Sequence, residues 1–208
     1  YVPGGSDVAA ACAAAAEEFK AKGAKPYIIP GGGSNPIGAL GYVACAMELI
    51  AQSKQLGISP TRVVHGTGSS GTQAGLVAGF AALKSPISVF GISVRHPRQK
   101  QEDMVFDLAC RTAEYLGHGG VVKREDVFAD DGYVGPGYGL PTPGMVDALT
   151  LLARTEGILL DPVYSGKAMA GMIGAIRKGT FDDQEDIVFL HTGGSTALFG
   201  YKQLFLKR

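Results

Sequence analysis

The chain has no tryptophan, only three cysteines and four histidines, and no excess of either charge: 19 Lys and Arg stand against 19 Asp and Glu. Each shortage narrows the possible functions. Without net charge, a basic block or aromatic–basic interleaving, nucleic acid and anionic membrane surfaces are not expected partners. The apolar runs are short and broken by glycine or charge, so no bilayer span and no membrane partner is expected. Cys12, Cys45 and Cys110 are odd in number, widely spaced and in apolar helical settings. The expectation is buried thiols of a reducing, cytoplasmic compartment rather than disulfides. His65, His96, His118 and His191 share no zinc spacing, so no metal site is expected. The opening Tyr1-Val2-Pro3-Gly4-Gly5 carries neither an initiator Met nor a signal peptide, which suggests the interior of a longer protein.

What the chain does have is glycine, 31 residues of it, concentrated where apolar runs give way to helical patterns. An α/β protein needs tight turns and close backbone approach at such junctions. At 208 residues the length suits one large domain, or one domain with part of another. Helical periodicity predicts helices over Asp7 to Lys22, Gly41 to Leu56, Lys100 to Gly117 and Pro143 to Glu156. Another runs from the Ser165-Gly166-Lys167 region through Arg177, and a last one follows Gly194. Strands are predicted at 26–30, 63–64, 87–94, 158–160 and 187–190, with a long loop from Val121 to Thr142. Continuous apolar strands alternating with helices imply a mostly parallel sheet with helices on both faces. Ligands in such sheets gather beyond the carboxyl ends of the strands, and polar clusters follow Ile29, Val64, Leu160 and Leu190.

The clearest of these clusters is Arg62-Val63-Val64-His65-Gly66-Thr67-Gly68-Ser69-Ser70-Gly71-Thr72-Gln73-Ala74-Gly75. A β-branched run enters a glycine- and hydroxyl-rich turn that opens a helix. Unpaired N–H groups and the positive end of the helix dipole make that turn a phosphate cup. Gly66 to Gly71 matches G-x-G-x-x-G, but no acid to grip a ribose follows before Glu102, which counts against NAD. A P-loop lysine and a G-x-S-x-G nucleophile turn are also absent. A single phosphate held by amides and hydroxyls remains, and pyridoxal phosphate fits that description.

Five motifs then occur in order: Ile29 to Tyr42 (IPGGGSNPIGALGY), the cup with Thr72 to Gly75, Gly135 to Pro141 (GPGYGLP), Asp161 to Lys167 (DPVYSGK) and His191 to Gly194 (HTGG). Together they resemble the D-cysteine desulfhydrase / 1-aminocyclopropane-1-carboxylate deaminase family, which includes cysteate sulfo-lyase. These are pyridoxal-phosphate enzymes of fold type II, the tryptophan-synthase β type. The resemblance implies that residues 1–40 are the tail of the small, substrate-side domain and 41–208 the large cofactor domain. It also implies a homodimer acting on a small amino acid. The family's cofactor lysine, in a Gly-Asn-Lys segment, and its substrate-gripping Ser-Asn-His segment are not found here, so the chain reads as the rear part of such an enzyme.

By the same resemblance Gly68, Ser69, Ser70, Gly71 and Thr72 cradle the cofactor phosphate, and Thr192 meets the pyridine nitrogen. Tyr138 and Tyr164 match two active-site tyrosines, with acid–base work or packing against the cofactor ring as their roles. The deaminase branch carries Glu immediately after the motif tyrosine; Ser165 stands here, near that nitrogen, which points toward β-elimination from a cysteine-like amino acid with sulfide or sulfite leaving. The deaminase reaction, or a cofactor-binding piece without catalysis, is the alternative. Lys167 reads as a solvated or helix-start lysine. Arg95, His96 and Arg98 could meet a sulfonate or form a solvated loop face.

Overall fold

The computed structural model describes residues 1–3, 6–182 and 184–206; Gly4 and Gly5 of the opening segment lie outside them. Six α-helices and four strands alternate among these residues. In chain order they are α1 (Val8–Ala21), α2 (Pro36–Leu56), β1 (Pro60–Thr67), α3 (Gly71–Ala82), β2 (Ser88–Ser93), α4 (Arg98–Tyr115), β3 (Phe128–Asp130), α5 (Pro143–Glu156), α6 (Ser165–Arg177) and β4 (Asp186–Phe189). A 3-10 segment, Ser195–Leu204, stands where a last helix was expected.

The strands form one sheet in the order β3-β2-β1-β4, and every pairing is parallel. Side chains alternate across it with the period of two that a strand imposes. Val63 and Val89 join the core beneath α2, α3 and α4, while Val64, Phe90 and Ile92 join the core on the α6 side. The parallel α/β fold expected from the sequence is the fold observed. Helix α3 is apolar all round and is buried along nearly its whole length between the sheet and α2, as such a composition requires.

Several local expectations need correction. Helix α2 begins at Pro36, not Gly41: Asn35 accepts the Gly38 N–H at 2.7 Å and Pro36 occupies the first turn, so the turn-like Ser-Asn-Pro is a helix start. Residues 26–30 and 158–160 form no strand; Tyr27, Ile29, Ile158 and Leu159 are exposed, and only Leu160 is buried. A strand unforeseen in the long loop, β3, is held from a distance. Gln73 Nε2 donates to Phe128 O at 2.7 Å, and Ala129 N donates to Glu102 Oε1 at 3.0 Å. The three cysteines are free but only partly buried. No described helix is long and apolar enough to cross a membrane.

His65, on β1, is completely buried. Its Nδ1 lies 2.9 Å from Gly66 O, which can only accept, so Nδ1 carries the proton and Nε2 is left without a partner. Burial lowers its pKa from 6.5 to about 4. Between those values the unfolded chain takes up a proton that the folded chain refuses, so stability falls as pH drops from 6.5 toward 4. The full shift corresponds to roughly 3 kcal/mol. In urea denaturation, His65→Gln is expected to lose about 2 kcal/mol less than the parent between neutral pH and pH ~4.5. Parallel losses in both proteins would show that His65 is not the group responsible.

Candidate active site

The four carboxyl-end loops do not contribute equally. The turn after β1 and those at 161–164 and 192–194 surround one cleft of about 250 Å³, lined by Gly68, Ser69, Ser70, Thr72, Asp161, Tyr164 and Thr192 among others. A larger cavity of about 580 Å³ lies where β2 begins, between Ser88, Val89, Phe128 and Lys123. That is the amino end of the sheet, away from the helix N-terminus and the glycine-rich turn, and the smaller cleft is the chemical one.

The cup turns at Ser70, whose φ is +76°, a left-handed conformation unusual for a residue with a side chain. Such a residue costs about 1–3 kcal/mol and persists only where its surroundings fix it. Here they do. Gln101 of α4, wholly buried, places Nε2 3.2 Å from Ser70 Oγ and 3.1 Å from Thr67 Oγ1. From the other side Ser34 Oγ accepts the Gly71 N–H at 3.2 Å and donates to Ser69 Oγ at 2.9 Å. Gly71, one of the expected phosphate ligands, therefore sits behind the cup with its N–H already used. Gly68 lets the cup approach the opposite wall: a Cβ there would lie 2.9 Å from the Tyr164 hydroxyl.

Tyr164 precedes α6, and its hydroxyl lies 3.4 Å from that of Tyr138, which donates to it. The rings meet edge-on with centroids 5.8 Å apart, and the Arg95 guanidinium lies 5.5 Å from the Tyr138 ring. Burial pushes the Tyr164 pKa well above the ordinary tyrosine value. Tyr164 therefore stays a neutral phenol, and because its oxygen accepts from Tyr138 its own proton is free for the cleft. Tyr138 reaches the cleft through this partner.

Asp161 went unrecognised in the sequence, although its motif was visible. Its buried carboxylate accepts from Val163 N (2.8 Å), Tyr164 N (2.7 Å), Ser165 N (2.8 Å) and Ser165 Oγ (2.6 Å). An acceptor at a helix start satisfies the free amides there and is favoured by the dipole. Ser165 is turned inward to Asp161 and is not part of the cleft wall. At 192–194 the turn is set by His191. Its Nδ1 accepts the Gly193 N–H at 3.1 Å, so Nε2 carries the proton and donates to Leu159 O at 2.9 Å. Thr192, exposed at the cleft, keeps its hydroxyl available. Lys167 stands in the first turn of α6, as a helix-start lysine would, but is completely buried rather than solvated.

Donors without any lysine or arginine in the cup, a left-handed turn and a helix N-terminus suit one phosphate monoester, and a side chain at position 68 would crowd the Tyr164 hydroxyl at the cleft. Comparison with known proteins agrees. The family model described as pyridoxal-phosphate dependent enzyme matches residues 1–193. D-cysteine desulfhydrases of Salmonella typhi and Yersinia enterocolitica are 41% and 42% identical over 186 residues, 89% of this chain and 56% of each relative. The chain thus spans little more than half the length of these curated relatives. The crystal structure of an ACC deaminase homologue superposes over 100% of the chain and 62% of its own, with a TM-score of 0.88 at 35% identity. By sequence, fold and the chemistry of its cleft, the chain belongs to the pyridoxal-phosphate-dependent enzymes.

Proposed function

We propose that the full-length protein is a carbon–sulfur lyase that eliminates sulfide from D-cysteine: cysteine and water give pyruvate, ammonia and hydrogen sulfide. The observation that carries this reading is the meeting of phosphate cup, tyrosine pair and Thr192 on one cleft, in a chain about two-fifths identical to D-cysteine desulfhydrases. Pyridoxal phosphate, when bound, supplies the electron sink that lets a proton leave Cα and a sulfur leave Cβ. The amides and hydroxyls of Gly68, Ser69, Ser70 and Thr72 hold its phosphate, with Gly71 serving as the first residue of α3 behind them. Thr192 offers the pyridine nitrogen a neutral hydroxyl. Asp161 does not offset that choice, because its charge is already shared among four donors.

Tyr164, held neutral, donates its proton toward the departing sulfur, and Tyr138 steadies the phenol oxygen from behind. Sulfide asks for little more than this. A sulfonate needs several charge-assisted donors, and among the described residues only the Arg95 guanidinium is found on the Tyr138 ring. Arg98 is engaged 2.8 Å from Glu102 and stacked on Phe128. That arrangement supports sulfide over sulfite. The homodimer and the division into the tail of a small domain, residues 1–40, and a cofactor domain, residues 41–208, belong to the same proposal.

Two measurements test the reading. Supplied with pyridoxal phosphate, the full-length protein is expected to release sulfide, pyruvate and ammonia from D-cysteine faster than sulfite from L-cysteate or ammonia from 1-aminocyclopropane-1-carboxylate. Preference for either of the latter would replace the proposed substrate. In addition, Ser70→Ala and Thr72→Ala should each weaken pyridoxal-phosphate binding by roughly 1.5–3 kcal/mol, about 10- to 100-fold, with smaller effects on turnover at saturating cofactor. Unchanged affinity in both variants would place the phosphate elsewhere.

A further inference from the structure

Lys167, in the first turn of α6, is the largest wholly buried side chain among the described residues. No described carboxylate lies within ion-pair distance of it. Its Nζ donates to Val134 O at 2.6 Å and to Gly137 O at 3.0 Å. Burial of an amine beside carbonyl dipoles alone is costly, and its pKa is lowered by that desolvation. A methionine would fill the same space at less cost, so the two carbonyls are what the amine is there for.

Those carbonyls belong to the irregular segment that leads into Tyr138. Gly137 O is part of the peptide whose nitrogen is Tyr138's own, so whatever holds that oxygen sets the direction in which the Tyr138 side chain leaves the backbone. The same oxygen also accepts the Leu140 N–H at 3.2 Å, and Tyr201 donates to Gly139 O at 2.7 Å. Tyr164 and Lys167 sit three positions apart at the start of one helix, which makes α6 the common base for both tyrosines.

We propose that Lys167 is a positioning residue: its amine pins the Gly137–Tyr138 peptide to the first turn of α6 and so holds the Tyr138 hydroxyl on that of Tyr164 at the edge of the cleft. This rests on the functional reading above for its consequence in catalysis, but the positioning itself is a property of the chain. Removal of the amine frees the segment, displaces Tyr138 and lowers kcat without disturbing the phosphate cup, which is built on β1, α3 and α4.

The test uses the full-length, cofactor-loaded protein with 3-fluorotyrosine at position 138, observed by ¹⁹F NMR. Lys167→Met is expected to shift or broaden the signal and to lower kcat for D-cysteine by about tenfold or more, since misplacement near 1 Å costs up to roughly 100-fold. Its pyridoxal-phosphate affinity should stay within about twofold, a change of under 1 kcal/mol. In Lys167→Ala, ethylammonium chloride should return the signal and part of kcat, whereas sodium chloride should not. A parent-like ¹⁹F signal in Lys167→Met, or equal response of Lys167→Ala to both salts, overturns the proposal. Tyr138→Phe separates the two levels: full activity in that variant removes the tyrosine from the mechanism, while the ¹⁹F signal still decides the role of Lys167.

Discussion

A helix begins with N–H groups that nothing in the helix can satisfy, and in this protein one such start is aimed at the carboxyl end of the central strand. Everything about the cleft follows from how that start, at Gly71, is held. The chain enters it through Ser70 in a left-handed conformation, and neighbours from two other elements keep it there: Gln101 from α4 and Ser34 from the loop before α2. Ser34 takes the Gly71 amide, so what remains open to a ligand is the outer rim of hydroxyls and amides at 68–70 and 72. The strain at Ser70 is thus tied to the direction in which the cup faces.

The second wall is built on the same plan with opposite sign. Where α3 has no acidic residue in its first turn, α6 has an internal anion, Asp161, which accepts from the amides of Tyr164 and Ser165 and from the Ser165 hydroxyl. Its carboxylate therefore stabilises the turn that carries Tyr164 rather than competing with a phosphate. Tyr164 in turn sits against Gly68. Gly66 also approaches the Tyr164 backbone, so the turn after β1 and the start of α6 meet through two glycines and one tyrosine.

The sequence made the cup legible because glycine, hydroxyl and β-branched residues lie in one continuous run, and the boundaries of α5 because Pro143 and Gly157 mark its ends. Other features depend on residues far apart. Strand β3 is only three residues long and owes its position to Gln73 and Glu102, so local propensity could not reveal it. Residues 26–30 and 158–160 have the apolar look of strands, yet a strand exists only when a neighbour pairs with it. The helix-start position of Lys167 was legible but its burial was not, because lysine is seldom fully buried; the carbonyls of residues 134 and 137, some thirty positions earlier, make that burial tolerable. Gln101 carries no motif at all. Asp161 lay in plain view, but its work as a cap emerges only once α6 is seen to start at Ser165.

A crystal structure of the full-length protein with pyridoxal phosphate bound tests the central claim most directly. The account predicts the phosphate at the start of α3, within hydrogen-bonding distance of the amides or hydroxyls of Ser69, Ser70 and Thr72, with the ring extending toward Thr192. Phosphate density in the cavity where β2 begins, or a cup left empty beside a bound cofactor, would contradict it.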